Sequence, residues 1–243
     1  MDKQFESIYH IAEDTNWWFK ARRNFIGSYL AKNGHSRAIS LLDVGCGGGG
    51  LLSFLESEGY TNLAGVDISP EAIAYCQKRG LTNVRQGNAE HISEFPSESF
   101  DVIVSSDVLE HLNDPDAALS NWFSLLKKNG ILILFVPAFM SLWSEHDVVS
   151  HHMHRYTKKE IFRLVTGAHF KPLLLSYWNF IMFIPYTILL FIMRFSKEKV
   201  VKLEHVDSPL NGFLTKIMLL ENKVIISGHS FPFGVSFLAI VKK

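Results

Sequence analysis

Cysteine is nearly missing from this chain: Cys46 and Cys76 are the only two among 243 residues. Two thiols cannot build a disulfide framework, and one of them sits in a glycine-rich loop where a bridge would distort the backbone, so a reducing, cytoplasmic setting is expected. An excess of charge of either sign is missing too. Lys plus Arg and Asp plus Glu stand at 24 each, with no long run of one sign, which argues against a broad nucleic-acid footprint. The opening Met1-Asp2-Lys3-Gln4-Phe5-Glu6 lacks the basic start and apolar core of a secretion signal. Neither internal repeats nor low-complexity tracts occur. With 47% hydrophobic and 20% charged residues, the chain suits one α/β core with additions.

The feature around which the rest is arranged runs from Leu41 to Leu52: an apolar strand, four consecutive glycines and the start of a helix. Glycines leave the main chain bare, so a ligand can lie against it, and the N–H groups of the first helical turn face that ligand at the positive end of the helix dipole. Gly45-x-Gly47-x-x-Gly50 satisfies the dinucleotide pattern. It also satisfies a shorter acidic-x-Gly-x-Gly pattern, with Asp43 two residues before the first glycine. The next strand, Leu63 to Asp67, ends on an acid about 20 residues beyond the loop, where a carboxylate accepts ribose hydroxyls in either cofactor class. Further strands are expected at Asn83 to Gln86, Ser99 to Ser106 and Ile131 to Val136. Helices open at Ser69-Pro70 and Asp114-Pro115, the second running through Lys127. This alternation argues a doubly wound parallel sheet.

On Asp43-Val44-Gly45-Cys46-Gly47-Gly48-Gly49 and the ordered pieces that follow, the chain resembles the class I S-adenosylmethionine-dependent methyltransferases, over roughly residues 38–178 and the last ten or so. The resemblance implies a Rossmann-like, mostly parallel seven-stranded sheet whose last strand, Gly234 to Lys242, inserts antiparallel beside strand six, Lys171 to Tyr177. It implies S-adenosylmethionine as cofactor, with Asp43, Gly45, Cys46, Gly47, Asp67, Ile68, Asn88, Ala89 and Ser106 around it. Asn88 stands where the family usually carries Asp, so its adenine contact loses charge assistance. An arginine of the leading segment often meets the cofactor's carboxylate in this family; Arg22 or Arg23 can fill that role or line a solvated helix face. The organisation expected is a helical cap over residues 1–37, a methyltransferase domain over 38–178 and 232–243, and an apolar helical insertion over 179–231.

Methyl transfer to a hydroxyl needs a base near neutrality at the pocket rim. His111, His146, His151, His152 and His154 are candidates, with His151 or His152 favoured. Trp18, Trp143, Arg155 and Tyr156 are expected to bind the acceptor. At i, i+3 and i+4 of a helical turn, Asp107, Glu110 and His111 share one face and offer a divalent-cation site, but the favoured reading has no metal.

From Pro172 to Met193 no residue is charged, a stretch of about 22 that matches a membrane span on length alone. Strand six claims its first third, however, and Pro185 interrupts the remainder. Pocket cover or a homodimer contact is preferred to a peripheral membrane contact through 179–200, beside Lys197, Lys199 and Lys202, at the inner membrane face. The second insert helix, about Leu210 to Ile226, is expected to pack on the first. The function expected is transfer of a methyl group to O or N of a small-molecule, glycan-related or lipid-linked acceptor. A nicotinamide-dependent oxidoreductase and a non-catalytic cofactor-binding scaffold or sensor are the competing readings.

Overall fold

The computed structural model describes residues 12–193 and 209–243. The first part of the expected cap, residues 1–11, and the lysines at 197, 199 and 202 lie outside the described residues. Residues 12–15 are helical, and after Asn16 comes α1 (Trp17–Lys32). The order then runs β1 (Ser40–Val44), α2 (Gly50–Ser57), β2 (Asn62–Asp67), α3 (Pro70–Lys78), β3 (Val84–Gln86), β4 (Phe100–Ser106), α4 (Pro115–Leu125) and β5 (Leu126–Pro137). It closes with α5 (Glu145–Val149), α6 (Lys158–Gly167), β6 (Lys171–Trp178), α7 (Phe183–Met193), α8 (Pro209–Ile226) and β7 (Ser236–Lys242).

One seven-stranded sheet has the order β3-β2-β1-β4-β5-β7-β6, with β7 antiparallel between β5 and β6. This is the arrangement implied by the family resemblance. Because strand side chains alternate, β1 sends Leu42 and Val44 to one face and Leu41 to the other, and all are fully buried. The first face packs on Leu119 and Trp122 of α4 and Ile161 and Val165 of α6; the second packs on Phe25 and Leu30 of α1, Leu52 of α2 and Met218 and Ile225 of α8. Each such side chain contributes about 1.5–3 kcal/mol by leaving water.

Local chemistry sets the helix starts. Ser69 caps α3 by accepting from the Ala72 N–H, with Pro70 at the first helical position, and Thr157 with Glu160 forms the capping box that opens α6. α4 stops at Leu125, two residues short of expectation. Leu126 is fully buried opposite Phe100, Lys127 reaches the Asp101 carboxylate at 2.8 Å, and a Cβ on Gly130 would lie 3.0 Å from the Lys127 carbonyl oxygen, so the chain must extend here.

α8 docks on α1. Asn211 accepts from the Trp17 N–H at 2.7 Å and donates to the Thr15 carbonyl at 2.8 Å. Buried Asn222 donates to the Ala21 carbonyl and accepts from Trp178 Nε1 at 2.9 Å. These amides tie α8 to the start of α1 and to the end of β6, which orients α8 more firmly than an apolar face alone. No helix among the described residues is long and apolar enough to cross a membrane.

Candidate active site

A cavity of about 1120 Å³ opens at the C-terminal ends of the parallel strands and runs from the glycine loop to the histidine-rich segment. At its cofactor end, Gly45 has φ +72° and Gly47 φ +52°, backbone that L side chains avoid. A Cβ on Gly45 would stand 2.3 Å from Val108 Cγ2, and one on Gly47 would stand 2.4 Å from Glu13 Oε1. Bare backbone is therefore a steric requirement of this cradle. Asp67 closes β2 with Oδ2 accepting from the Gly47 N–H and Oδ1 from the Ser69 N–H, both at 2.9 Å. Its carboxylate is thereby held rigidly at the cavity edge, with further lone pairs for two vicinal hydroxyls.

Asp43 is buried beneath the loop, and its carboxyl lies well above the usual range because of burial, reinforced by Glu13 and Asp67 and opposed by Arg22. Arg22 is 4% exposed. Its guanidinium pairs with Asp107 at 2.6 Å and lies 5.2 Å from the ring of Phe135, 5.5 Å from that of Trp18 and 5.6 Å from that of Trp178. Nε and the second terminal nitrogen have no hydrogen-bond partner among the described residues, and neither does the buried Ser106 hydroxyl. Buried donors left open on a cavity wall suit a polar ligand. An amino-acid carboxylate beside Arg22, a ribose on Asp67 and a nucleoside against the glycine cradle together fit S-adenosylmethionine.

The remaining expected cofactor residues also meet the cavity. Asn88 and Ala89 line it, although Asn88 Oδ1 already accepts the Glu90 N–H at 2.9 Å; Ile68 stands exposed at the edge. Cys46 also reaches the lining, but its thiol is buried, close to Gly65, and a hydrogen bond with Cys76, followed by burial, raises its pKa well above the ordinary value. A thiol in that state packs the loop and is not a nucleophile.

At the far end, His111, His146, His151 and His152 all line the cavity. Burial and the neighbouring His152 push His111 down to about 4, and the same two causes lower His146, so both are neutral at pH 7. His152 is the fixed member. Its Nδ1 lies 2.8 Å from Asp147 Oδ1, and Asp147 in turn accepts from Arg155 Nε at 2.7 Å, from an Arg155 terminal nitrogen at 3.0 Å and from the Ser144 N–H at 2.8 Å. Burial alone would raise the Asp147 carboxyl, but the bonds from His152 and Arg155 outweigh it and hold the group well below the usual range. An ionised carboxylate only accepts, so Nδ1 of His152 carries the proton of that bond, and Nε2 faces Glu110 Oε1 at 3.9 Å. Both Glu110 oxygens are buried without a hydrogen-bond partner among the described residues; burial first, then Asp107, raises this carboxyl well above its ordinary value.

Glu110, His111 and His152 each bring one ligand atom within 4.8 Å of the others. Asp107, the third member of the expected trio, is engaged with Arg22 instead. Arg155 lines the cavity yet spends its guanidinium on Asp147 and the Ala138 carbonyl. The buried Tyr156 hydroxyl donates to the Leu109 carbonyl, and neither Tyr156 nor Trp143 lines the cavity. Trp18 does, packed edge-on against Trp178. His154 lies beside Glu160 of the α6 capping box. Sequence reasoning missed Glu13, whose carboxylate takes the Gly48 N–H, and Asp147, although Ser144-x-x-Asp147 carries the spacing of a capping box.

Residues 42–134 match the methyltransferase domain family model. The chain is 31% identical over 134 residues to the ubiquinone biosynthesis O-methyltransferase of Pseudomonas fluorescens (strain Pf0-1), a match covering 53% of each chain. It spans about half the length of the curated relatives it matches. Among solved structures, an S-adenosylmethionine-dependent methyltransferase from Thermotoga maritima superposes over all of both chains with a TM-score of 0.60 at 19% identity. A geranyl diphosphate methyltransferase in complex with S-adenosylmethionine gives 0.61 at 12% identity over 92% of this chain and 84% of that one. The seven-stranded sheet with β7 antiparallel between β5 and β6 is the fold of these methyltransferase structures, and residues 42–134 are similar to the methyltransferase domain family.

Proposed function

We propose that this protein transfers the methyl group of S-adenosylmethionine to an oxygen atom of a small or lipid-linked acceptor. The observation that carries the reading is one continuous cavity with a glycine cradle and the Asp67 carboxylate at one end and four histidines at the other. When bound, the cofactor supplies an activated methyl group on a positively charged sulfur. The chain's own residues then have three tasks. Arg22, Asp67 and the glycine backbone hold the cofactor, the wall of His111 and His152 orients the acceptor hydroxyl, and His152 Nε2, with His151 beside it at the rim, accepts the proton.

Oxygen is preferred to nitrogen because an imidazole oriented by a carboxylate suits a hydroxyl, and because the Pseudomonas fluorescens relative is an O-methyltransferase by name. An apolar acceptor is favoured by Met182, Pro185 and Leu189, which put the start of α7 on the cavity wall. The outer side of α7, with Ile184 and Ile188 exposed, is left for a second copy or a lipid surface.

The reading is tested by calorimetry with S-adenosylhomocysteine and with NAD, followed by assay of S-adenosylhomocysteine release against phenols, catechols and their prenylated forms. Binding of S-adenosylhomocysteine and turnover with a hydroxylated acceptor are expected. Tight binding of NAD alone would return the chain to the oxidoreductase reading, and cofactor binding without any turnover to the scaffold reading.

A further inference from the structure

The glycine loop leads into α2, and the start of a helix after such a loop is where a dinucleotide's pyrophosphate ordinarily lies, on the exposed amides. Here a carboxylate is already seated there. Glu13 is 7% exposed, and its Oε2 accepts from the Gly48 N–H at 3.1 Å with Oε1 at 3.4 Å. Its carboxylate also lies over Gly47 and reaches Gly50: a Cβ on Gly47 would stand 2.4 Å from Oε1, and one on Gly50 would stand 3.6 Å from Oε2. Gly49, at the cap of α2, offers no side chain of its own. Glu13 therefore supplies the negative charge that this helix start favours.

The position of Glu13 is fixed from both sides. Arg23 donates to its main-chain carbonyl, and the next residue, Asp14, forms a two-pronged ion pair with Arg79 at 2.8 and 3.0 Å, which ties the leading segment to the end of α3. The electrostatic setting agrees. Acids facing the cavity are Glu13, Asp43, Asp67, Glu71, Glu90 and Asp107; the arginines facing it are Arg22, Arg23 and Arg155. Two of those arginines, Arg22 and Arg155, are bonded to Asp107 and Asp147, so the cofactor end carries a surplus of negative charge. Such a surface attracts a sulfonium and an ammonium group and repels a pyrophosphate.

We propose that Glu13 is a specificity-determining residue: its carboxylate occupies the anion seat of the glycine loop, so that the crevice admits a nucleoside with an ammonium-bearing tail and turns away pyrophosphate-bearing nucleotides. This rests on the cofactor reading above, and it assigns to the leading segment a role that no glycine pattern encodes. Gly45-x-Gly47-x-x-Gly50 satisfies both cofactor classes, and the choice between them is made by a residue that arrives from outside the motif.

The test is calorimetry on the full chain with two probes, S-adenosylhomocysteine and ADP-ribose, for the wild type, Glu13→Ala and Glu13→Gln. The wild type should bind S-adenosylhomocysteine and show no heat with ADP-ribose. Opening the seat in Glu13→Ala should improve ADP-ribose relative to S-adenosylhomocysteine by about tenfold or more, as expected for lifting one close like-charge repulsion. Glu13→Gln keeps an acceptor for Gly48 and removes only the charge, so its shift should be smaller and in the same direction. An unchanged ratio of the two affinities in both variants overturns the proposal. Loss of S-adenosylhomocysteine binding in both folded variants overturns it as well, since Glu13 would then be a cofactor contact and not a discriminator. Failure of the cofactor reading is separate: it appears as a wild type that does not bind S-adenosylhomocysteine.

Discussion

At the cofactor end of the cavity, the carboxylates are held by main-chain amides of the glycine loop and the neighbouring β2–α3 turn: Asp67 by Gly47 and Ser69, Glu13 by Gly48. At the acceptor end the order is carried by side chains that set one another. Arg155 holds Asp147, Asp147 holds His152, and His152 faces a Glu110 whose oxygens have no hydrogen-bond partner among the described residues. A site built on backbone geometry tolerates little substitution and serves one ligand shape. A site built on a chain of side chains can be retuned one residue at a time, which is how one fold accommodates many acceptors around a constant cofactor.

The sharpest way to break this comparison is at the backbone end. Gly45→Val places a branched side chain where even a Cβ meets Val108 at 2.3 Å, at a φ of +72° that β-branched residues avoid. S-adenosylhomocysteine binding should fall below detection by calorimetry, while the melting temperature shows whether the sheet survives. Asp67→Ala, which leaves two loop amides without their acceptor, should likewise impair cofactor binding. Retained affinity in both would mean that the cradle is not where the cofactor lies.

At the acceptor end, His152→Ala should lower turnover by about 10²-fold or more with cofactor affinity unchanged, the size expected for loss of a positioned base. His151→Ala should have the smaller effect, because His151 is exposed and lacks a carboxylate on its ring. Equal rates in wild type and both variants would remove the imidazoles from the chemistry. Exhaustive chelation sharpens the same point: the favoured reading has no metal, so activity should persist, and its loss would turn Glu110, His111 and His152 into a cation site.

Asp147→Asn tests the side-chain chain itself. Replacing a buried carboxylate that accepts from Arg155 and His152 leaves a guanidinium buried without its counter-charge, a change that typically costs about 3–5 kcal/mol. Chemical denaturation should report a loss of that order. The Nδ1–H resonance of His152 in nitrogen-15 spectra should also broaden or shift as its acceptor weakens. A variant as stable as wild type would mean that Asp147 does not anchor the loop.

The unequal legibility of the two ends has a physical origin. Glycine spacing, the acid that ends β2 and the Ser69-Pro70 cap are short-range signals, each demanded by local backbone geometry, and they could be read from the chain alone. The parallel part of the sheet followed from alternating apolar strands and capped helices, whereas the reversed last strand came from the family resemblance and not from any local pattern. Arg155 and Tyr156 read as binding groups because an arginine and a tyrosine in a polar loop carry no mark of their partners; in the folded chain their polar atoms serve Asp147 and the Leu109 carbonyl. Glu13 was invisible for the same reason. Its partner, Gly48, is 35 residues away, and no periodicity connects the two.

The smallest expected effect concerns protons. His111 is held down at about 4, against an ordinary 6.5, by burial and by His152. Above pH 6.5 it is neutral in both folded and unfolded chains, and the stability it contributes is fully present. As pH falls from 6.5 to about 4 the unfolded chain takes up a proton that the folded chain refuses, so stability drops, by at most about 3 kcal/mol for a shift of this size. Glu110 works in the opposite direction, because a carboxyl raised by burial stabilises the fold more as pH falls. The wild-type curve sums the two, and the difference between wild type and His111→Asn isolates the histidine. Denaturant unfolding at pH 7.5 and 5 should give the variant the shallower loss on acidification. Asp147, held far below the usual carboxylate range, titrates outside that window and does not confuse the comparison. Parallel losses in the two proteins would show that His111 is not the group kept neutral by the acceptor wall.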